Sequence, residues 1–172
     1  RRHPHRLRVA HHLECGVGVG VRDRAESHVH AAMLACAHAL DSHAVPPLAT
    51  ADDGVPLAFE EHGTGVPLLL IAGQATGMHG WGPFARALAE DHRVITFDHR
   101  GIGDSGAGDP GRYSTRLFAD DALAVLDAAG VSAAHVVGHS MGGRVAQWMA
   151  AEHPARVRRL VLIGTTASDR AG

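Results

Sequence analysis

The sequence predicts an α/β fold, a mostly parallel sheet with helices on both faces. Three observations support this prediction. From Ala51 onward, apolar runs of strand length alternate with segments of helical periodicity. The run Val66–Gly73, "VPLLLIAG", is continuously apolar, as in strands that are buried on both faces. Repeated strand–helix–strand order favours parallel pairing, and ligands of such sheets bind at the carboxyl ends of the strands.

Strand and helix signals follow one another in order along the chain. Strands are predicted in "VPLAFEEHG", "VPLLLIAG", "HRVITFD", "AAHVVGHS" and "RRLVLIGT", and helices in "WGPFARALAED", "YSTRLFADDALAVLDAAG" and "MGGRVAQWMAAEHP". The second helix is well delimited, because Ser114 or Thr115 can cap its start and Gly130 can end it. Its inward face is expected to carry Leu117, Phe118, Ala122, Leu123, Val125 and Leu126.

The composition is that of a soluble globular protein and narrows the function classes. The 172 residues are 45% hydrophobic and 20% charged, with a formal net charge of −2, which does not favour a nucleic-acid partner. The absence of lysine excludes a lysine Schiff base and a P-loop lysine. No apolar stretch is long enough for a membrane span, and the basic start lacks the apolar segment of a secretory signal. We therefore expect no membrane partner. Cys15 and Cys36 fit neither a disulfide framework nor a zinc site, so we expect a cytoplasmic protein.

Residues 1–48 differ in composition from the rest of the chain. They hold both cysteines and eight of the fifteen histidines, among them His3, His5, His11, His12, His28 and His30. Metal binding is one interpretation, but ligands need a fixed geometry and supporting hydrogen bonds. We therefore expect a disordered or non-native leader over 1–48, which includes an Ala-rich stretch with helical propensity, and the amino-terminal portion of an α/β domain over 49–172.

One serine lies at a sharp turn between a predicted strand and a predicted helix. Gly138-His139-Ser140-Met141-Gly142 matches G-x-S-x-G in the strand–turn–helix context of a nucleophile elbow. The serine of such a turn takes a strained backbone conformation, and glycines on either side avoid clashes between strand and helix. The free N–H of Met141 at the helix start can donate to an oxyanion. These features predict Ser140 as a nucleophile.

From about Ala51 to Thr166 the chain resembles the α/β-hydrolase fold superfamily. The resemblance rests on "LLLIAG", "FDHRGIGDSG", the helix before the elbow, "VVGHSMGG" and "HPARVRRLVLIGTT", and is strongest to the enol-lactone and small-ester hydrolase branch. It implies a Ser–His–Asp triad that attacks an ester, lactone or related acyl substrate without cofactor or metal. It also implies a second oxyanion donor, the backbone N–H of Gln74 after Gly73. Ala72 replaces the family's usual histidine, which leaves a backbone donor intact.

The partners that the resemblance requires for Ser140 are not evident in the sequence. The family order is serine, acid, histidine. Only His153 follows Ser140, and the intervening helix would place it about 20 Å away, on the surface. Asp169 occupies a place where a minority of the family keep their acid. We therefore expect the amino-terminal part of a hydrolase, inactive alone. A truncated binding protein, an acyltransferase and a carbon–carbon bond hydrolase remain alternatives, and the oligomeric state is undetermined.

The segment "GIGDSG", Gly101–Gly106, also matches G-x-G-x-x-G. A dinucleotide site needs a helix that opens on those glycines, whereas a loop with Pro110 follows here. We therefore expect a tight turn, with Asp98, Arg100 and Asp104 holding the loop rather than doing chemistry.

Five other polar or aromatic residues are candidates for the site or its surroundings. His139, at the variable position of the elbow, is expected to pack rather than to act as a base. His79 and Trp81 could line the mouth of the site or pack beside it. Asp120 and Asp121 are expected on the solvated face of their helix.

Overall fold

Six strands form one sheet in the order β1-β2-β4-β3-β5-β6. The computed structural model describes residues 45–167. The strands are β1 (Leu48–Thr50), β2 (Pro56–His62), β3 (Val66–Ile71), β4 (His92–Phe97), β5 (Ala134–His139) and β6 (Val157–Ile163). β3 pairs in parallel with β4 and β5, and β5 with β6, whereas β1 and β2 pair antiparallel at the other edge. The predicted α/β class with a mostly parallel sheet is confirmed.

Three helices cover the two faces of this sheet. They are α1 (Gly82–Leu88), α2 (Thr115–Ala128) and α3 (Met141–Glu152). Helix α1 packs on one face against side chains of the central strands, Leu68, Leu70, Val94 and Val137. Helices α2 and α3 pack on the other face over Leu69, Ile71, Ile95 and Val136. The central strands are therefore buried on both faces, as the apolar run of β3 predicts.

Helix α2 begins and ends where the sequence predicts. The Ser114 side chain accepts a hydrogen bond from the Leu117 backbone N–H at 3.1 Å, and the left-handed Gly130 follows the last turn. Of the six residues expected to face inward, Leu117 is half-buried and the other five are buried. The apolar face of α2 is thus confirmed.

The acidic pair on α2 is divided between the core and the solvent. Asp120 is exposed as expected, but the expectation that Asp121 is solvated is wrong, because it is only 1% exposed. Asp121 accepts two hydrogen bonds from the buried guanidinium of Arg100, which also donates to Asp53 at 2.8 Å. The hydrogen bonds with Asp121 raise the pKa of Arg100. The hydrogen bond from Arg100 lowers the pKa of Asp53. This ion cluster (Asp53, Arg100 and Asp121) joins α2 to the loop after β4 and to the β1–β2 turn.

Strand β1 was not expected from the sequence. It pairs antiparallel with β2 and begins at Leu48, the last residue of the compositionally distinct segment. The predictions for the histidines, the cysteines and the Ala-rich stretch of residues 1–44, and for Asp169, lie outside the described residues.

Strand β6 lies at the edge of the sheet and exposes apolar side chains. Val161 is 51% exposed, Leu162 42% and Ile163 40%, and successive residues of a strand point to opposite faces. Apolar residues on both faces are typical of a strand that is covered on both sides, although these three side chains are exposed. Among residues 45–167 no helix is both long and apolar enough to cross a membrane.

Candidate active site

Ser140 lies on the sharp turn between β5 and α3. Its backbone adopts φ 54° and ψ −118°, a left-handed conformation that non-glycine residues rarely take. The Ser140 backbone N–H donates to the Ile163 carbonyl at 2.9 Å, and its carbonyl accepts from the Gly143 N–H at 3.0 Å. The strained turn that the sequence predicts is present, and the surrounding strands and helix hold it in place.

Two glycines allow the strand and the helix to approach at this turn. A Cβ at Gly138 would lie 2.5 Å from the Gly142 carbonyl oxygen, and one at Gly142 would lie 2.5 Å from the Ala72 carbonyl oxygen. Because both obstacles are backbone atoms, no side-chain movement could relieve them. The steric reason given for these glycines is confirmed, and the start of α3 rests directly on the end of β3.

The loop after β3 reaches the elbow at Gly73. A Cβ on Gly73 would lie 3.3 Å from the Ser140 Cβ, and Gln74, the next residue, is exposed. Met141 is the first residue of α3, where backbone N–H groups have no acceptor within the helix. The structure therefore brings Ser140, Met141 and the loop that carries Gln74 to one place at the carboxyl edge of the sheet. Their catalytic roles stay predictions.

His99, which sequence analysis did not single out, lies under this loop. The residue is 2% exposed, and its Nε2 is 3.2 Å from the Ala72 carbonyl oxygen. Its ring packs against Phe97 and Phe118, with centroids 5.0 and 5.2 Å away. Burial lowers the pKa of His99 below its usual value, which favours the neutral ring. The sequence offers one signal for His99. It follows the predicted strand β4, whose carboxyl end lies beside the loop after β3.

The loop after β4 is held by polar contacts, as expected. Asp98 accepts hydrogen bonds from the backbone N–H groups of Met78 at 2.6 Å and Asp104 at 3.0 Å. Arg100 anchors the loop through the ion cluster described above. The first helical turn after Gly101–Gly106 is a short 3₁₀ turn at Pro110–Arg112, so no helix opens on these glycines as a dinucleotide site would require.

The remaining histidine and tryptophan candidates lie at different distances from the elbow. His139 is exposed, and its ring packs edge-on against half-buried Trp81 with centroids 6.5 Å apart. The His79 side chain is 73% exposed and lies 3.8 Å from a Glu60 oxygen. His153 follows the last turn of α3, at the opposite end from Ser140, with its Nε2 4.0 Å from an Asp120 oxygen. The whole of α3, 12 residues long, therefore separates His153 from Ser140, as the sequence predicts.

Two cavities lie beside α2, away from the elbow. The larger, about 720 Å³, is lined by Arg112, Ser114, Arg116, Leu117, Asp120, Glu152 and His153. The smaller, about 230 Å³, includes Asp52, Asp53, Arg100 and Asp121 among its lining residues. Neither is lined by Ser140, so neither is the substrate site that the elbow predicts. In the part of the chain that the structure describes, no cluster of three or more His, Cys, Asp or Glu residues is arranged to hold a metal ion.

Comparisons with known proteins match the chain to one fold family. Residues 66–171 match the family model described as alpha/beta hydrolase fold. The chain is 47% identical over 107 residues to the putative carbamate hydrolase RutD of Azorhizobium caulinodans, covering 62% of this chain and 40% of that protein. It is 37% identical over 115 residues to the 2-hydroxymuconate semialdehyde hydrolase of Pseudomonas sp. strain CF600, covering 65% and 41%.

Solved structures give the same result. The enol-lactonase of Burkholderia xenovorans LB400 matches with a TM-score of 0.65 at 30% identity, over 70% of this chain and 47% of that one. A hydrolase of Pseudomonas aeruginosa PA01 matches with a TM-score of 0.69 at 36% identity, over 73% and 48%. The chain thus spans less than half the length of each of these four proteins.

Proposed function

Because the chain belongs to the α/β-hydrolase fold family, we propose that it supplies the nucleophile and the oxyanion hole of a serine hydrolase. The observation that carries this proposal is the strained Ser140 turn, with φ 54°, at the start of α3 and in contact with Gly73. Strain of this kind persists only where surrounding structure enforces it, and it is typical of functional sites. The proposed substrate is a small ester, lactone or related acyl compound.

In the proposed reaction the Ser140 Oγ attacks the carbonyl carbon of the substrate. The hydroxyl proton passes to a base, and the carbonyl oxygen becomes an oxyanion that accepts hydrogen bonds from the Met141 and Gln74 backbone N–H groups. Collapse breaks the bond to the leaving oxygen or nitrogen, which takes the proton from the base, and leaves an acyl group on Ser140. Water, deprotonated by the same base, then attacks this acyl group, the acid product is released, and the base returns the proton to the Ser140 Oγ. The base and its acid are proposed to come from the part of the hydrolase domain that this chain does not span. The scheme needs neither cofactor nor metal.

The names of the relatives support the acyl-substrate class without selecting one compound. They include the putative carbamate hydrolase RutD, an enol-lactonase and esterases, and carbamates, lactones and esters share a carbonyl that a serine can attack. We propose that the protein acts in the cytoplasm, on a small-molecule substrate. The alternative of a truncated, non-catalytic binding protein predicts no turnover even when the missing part of the domain is supplied.

A second candidate is a hydrolase of carbon–carbon bonds. Two curated relatives are 2-hydroxymuconate semialdehyde hydrolases, at 37% and 40% identity, and two matched structures are of a meta-cleavage product hydrolase. Such an enzyme can use the same elbow and oxyanion donors. The substrate profile of an active form distinguishes the two candidates.

The test uses a hybrid in which this chain takes the place of the matching region of the Azorhizobium carbamate hydrolase. We expect the hybrid to hydrolyse p-nitrophenyl acetate, and Ser140→Ala to lower kcat by about 10³-fold or more. The matched control is Ser132→Ala, since Ser132 is exposed in the turn before β5. The 172-residue chain alone is expected to show little or no turnover.

Equal activity of the Ser140→Ala and unmodified hybrids would exclude Ser140 as the nucleophile. A folded hybrid without activity, alongside an active parent enzyme, would favour the binding-protein alternative. Thermal unfolding of each variant separates loss of activity from loss of structure.

A further inference from the structure

We propose that His99 is a positioning residue of the oxyanion hole, which holds the loop that carries Gln74 through a hydrogen bond to the Ala72 carbonyl. This inference rests on the proposed function, because it assigns His99 a role in the same site. His99 bonds to the Ala72 carbonyl, two residues before Gln74, so its role is indirect.

The contact is fixed from both sides. The His99 ring is held between Phe97, the last residue of β4, and Phe118 on α2. Ala72 is 2% exposed and directly follows β3. The 3.2 Å contact between Nε2 and the Ala72 oxygen therefore joins two buried groups that are 27 residues apart in the sequence. Neither group has room to move without disturbing the core.

The surroundings select one tautomer of the ring. Nε2 faces a carbonyl oxygen, which can only accept, so Nε2 must carry the proton. Nδ1 is buried without a hydrogen-bond partner, as suits a lone pair better than a buried N–H. The alternative tautomer would place two lone pairs together and leave an N–H unsatisfied. Burial also lowers the pKa of His99, which keeps the ring in this neutral form.

The loop is also held at its far end, where the Met78 backbone N–H donates to Asp98 at 2.6 Å, and the described hydrogen bonds between Ala72 and Met78 are local. Gly73 and Thr76 are joined by a backbone hydrogen bond of 3.3 Å, and the Thr76 hydroxyl donates to the Gln74 carbonyl at 3.4 Å. Ala75 has φ 56°, so the turn holds a residue in a conformation that L-amino acids rarely adopt. The His99 bond lies two residues before Gln74, and it orients the peptide plane from which Gly73 and Gln74 continue. A small rotation at Ala72 would turn the Gln74 amide away from the oxyanion.

The experiment compares two substitutions of His99. His99→Leu fills the buried position with an apolar side chain that has no donor, whereas His99→Gln places an amide N–H near the former Nε2. In the hybrid hydrolase we expect His99→Leu to lower kcat about tenfold or more, with KM changed less than twofold, and His99→Gln to restore most of kcat. His153→Leu, at the far end of α3, is the matched histidine control with unchanged kinetics.

A second readout does not depend on turnover. Imidazole ¹⁵N shifts of the full 172-residue chain should show His99 with a protonated Nε2 and a bare Nδ1. In the same chain, the backbone amide resonance of Gln74 should move in His99→Leu and return toward its original position in His99→Gln.

Three results would overturn the positioning role: an Nδ1–H tautomer, an unchanged kcat in His99→Leu, or equal loss of kcat in both His99 variants. If His99→Leu does not fold, the tautomer and the His99→Gln kinetics decide. If Ser140→Ala abolishes activity and His99→Leu does not alter it, only the positioning role is rejected. If Ser140→Ala is fully active, the proposed function fails first.

Discussion

Removal of the Asp121 carboxylate is the sharpest stability test that the structure offers. Asp121→Ala takes both hydrogen bonds away from the Nε and Nη2 atoms of Arg100 and leaves a guanidinium whose side chain is only 1% exposed. Arg100 retains Asp53, at 2.8 Å, as its remaining partner. The substitution therefore breaks half of a buried ion cluster and leaves a buried charge partly uncompensated.

The expected cost follows from that burial. Breaking a buried ion pair by removing one partner costs about 3–5 kcal/mol, and the remaining Asp53 contact favours the lower end, about 3 kcal/mol. Asp120, the preceding residue, is the matched control because its side chain is 50% exposed. Desolvation raises the pKa of Asp120, so its charged form is not favoured by the fold. Asp120→Ala should change the free energy of unfolding by no more than about 0.5 kcal/mol.

Urea unfolding of the two variants and the unmodified chain, followed by circular dichroism, measures both effects. A double variant, Arg100→Met with Asp121→Leu, should recover most of the loss, because replacing a whole buried pair by apolar side chains is often neutral. Equal destabilisation by Asp120→Ala and Asp121→Ala would refute the argument. So would a double variant less stable than Asp121→Ala.

Three further predictions concern packing, pH and association. Gly142→Ala should cost about 3 kcal/mol or more in urea unfolding, since its Cβ would meet the Ala72 carbonyl, whereas Gly130→Ala, left-handed but in open space, should cost about 1 kcal/mol. Because burial lowers the pKa of His99 below 6.5, the unfolded state binds the proton first as the pH falls. The free energy of unfolding should then decline below about pH 6.5, by up to about 1.4 kcal/mol per pH unit, until the lowered pKa of His99 is reached. His99→Gln should remove the part of this decline that His99 causes between about pH 7 and about pH 5.5. Val161→Lys, on the exposed edge strand, should reduce self-association of the isolated chain in sedimentation velocity with little change in stability.

Each of these has a clear contrary result. Similar costs for the two glycine variants would mean that the backbone contact at Gly142 relaxes. An unchanged pH profile in His99→Gln would mean that other groups carry the acid sensitivity. Undiminished association of Val161→Lys would place the contact elsewhere on the surface.

The order of strands and helices could be predicted because local signals delimit each element. Strand β3 is a continuous apolar run that ends at Ala72-Gly73, and α2 lies between the Ser114 cap and Gly130. The elbow geometry at Ser140 could also be predicted, since its glycines and its strand–helix context are contiguous in sequence. What is local in the chain was accessible from the sequence.

What was missed depends on contacts between distant segments. Asp121 lies three residues after Phe118 and four before Val125, so helical spacing already placed it on the buried face. Its charge argued against burial, and only the fold shows that Arg100 compensates it. The His99–Ala72 contact likewise joins two loops that meet only because β3 and β4 are neighbours. The three-residue β1 has no signal of its own apart from its pairing with β2.

The proposed oxyanion hole lies at the carboxyl ends of two neighbouring core strands. Ser140 and Gln74 follow β5 and β3, which are adjacent parallel strands about 4.8 Å apart. Gly73, Gly138 and Gly142 remove the side chains that would separate those strand ends from α3. If the proposed function holds, we expect the same core to serve different acyl substrates and residues outside it to select among them.

This separation leads to a prediction for hybrids made with two different relatives. With this chain in place of the matching region, the hybrid with the Azorhizobium carbamate hydrolase and the hybrid with the Pseudomonas semialdehyde hydrolase should each keep the substrate preference of its parent. Both should lose activity with Ser140→Ala, because the two hybrids share the proposed nucleophile. The measurement is the ratio of kcat/KM values for one carbamate and for 2-hydroxymuconate semialdehyde in each hybrid and its parent. If both hybrids instead shared one preference, residues within this chain would select the substrate, and the exposed ring of His139 beside Trp81 would be the first contact to examine.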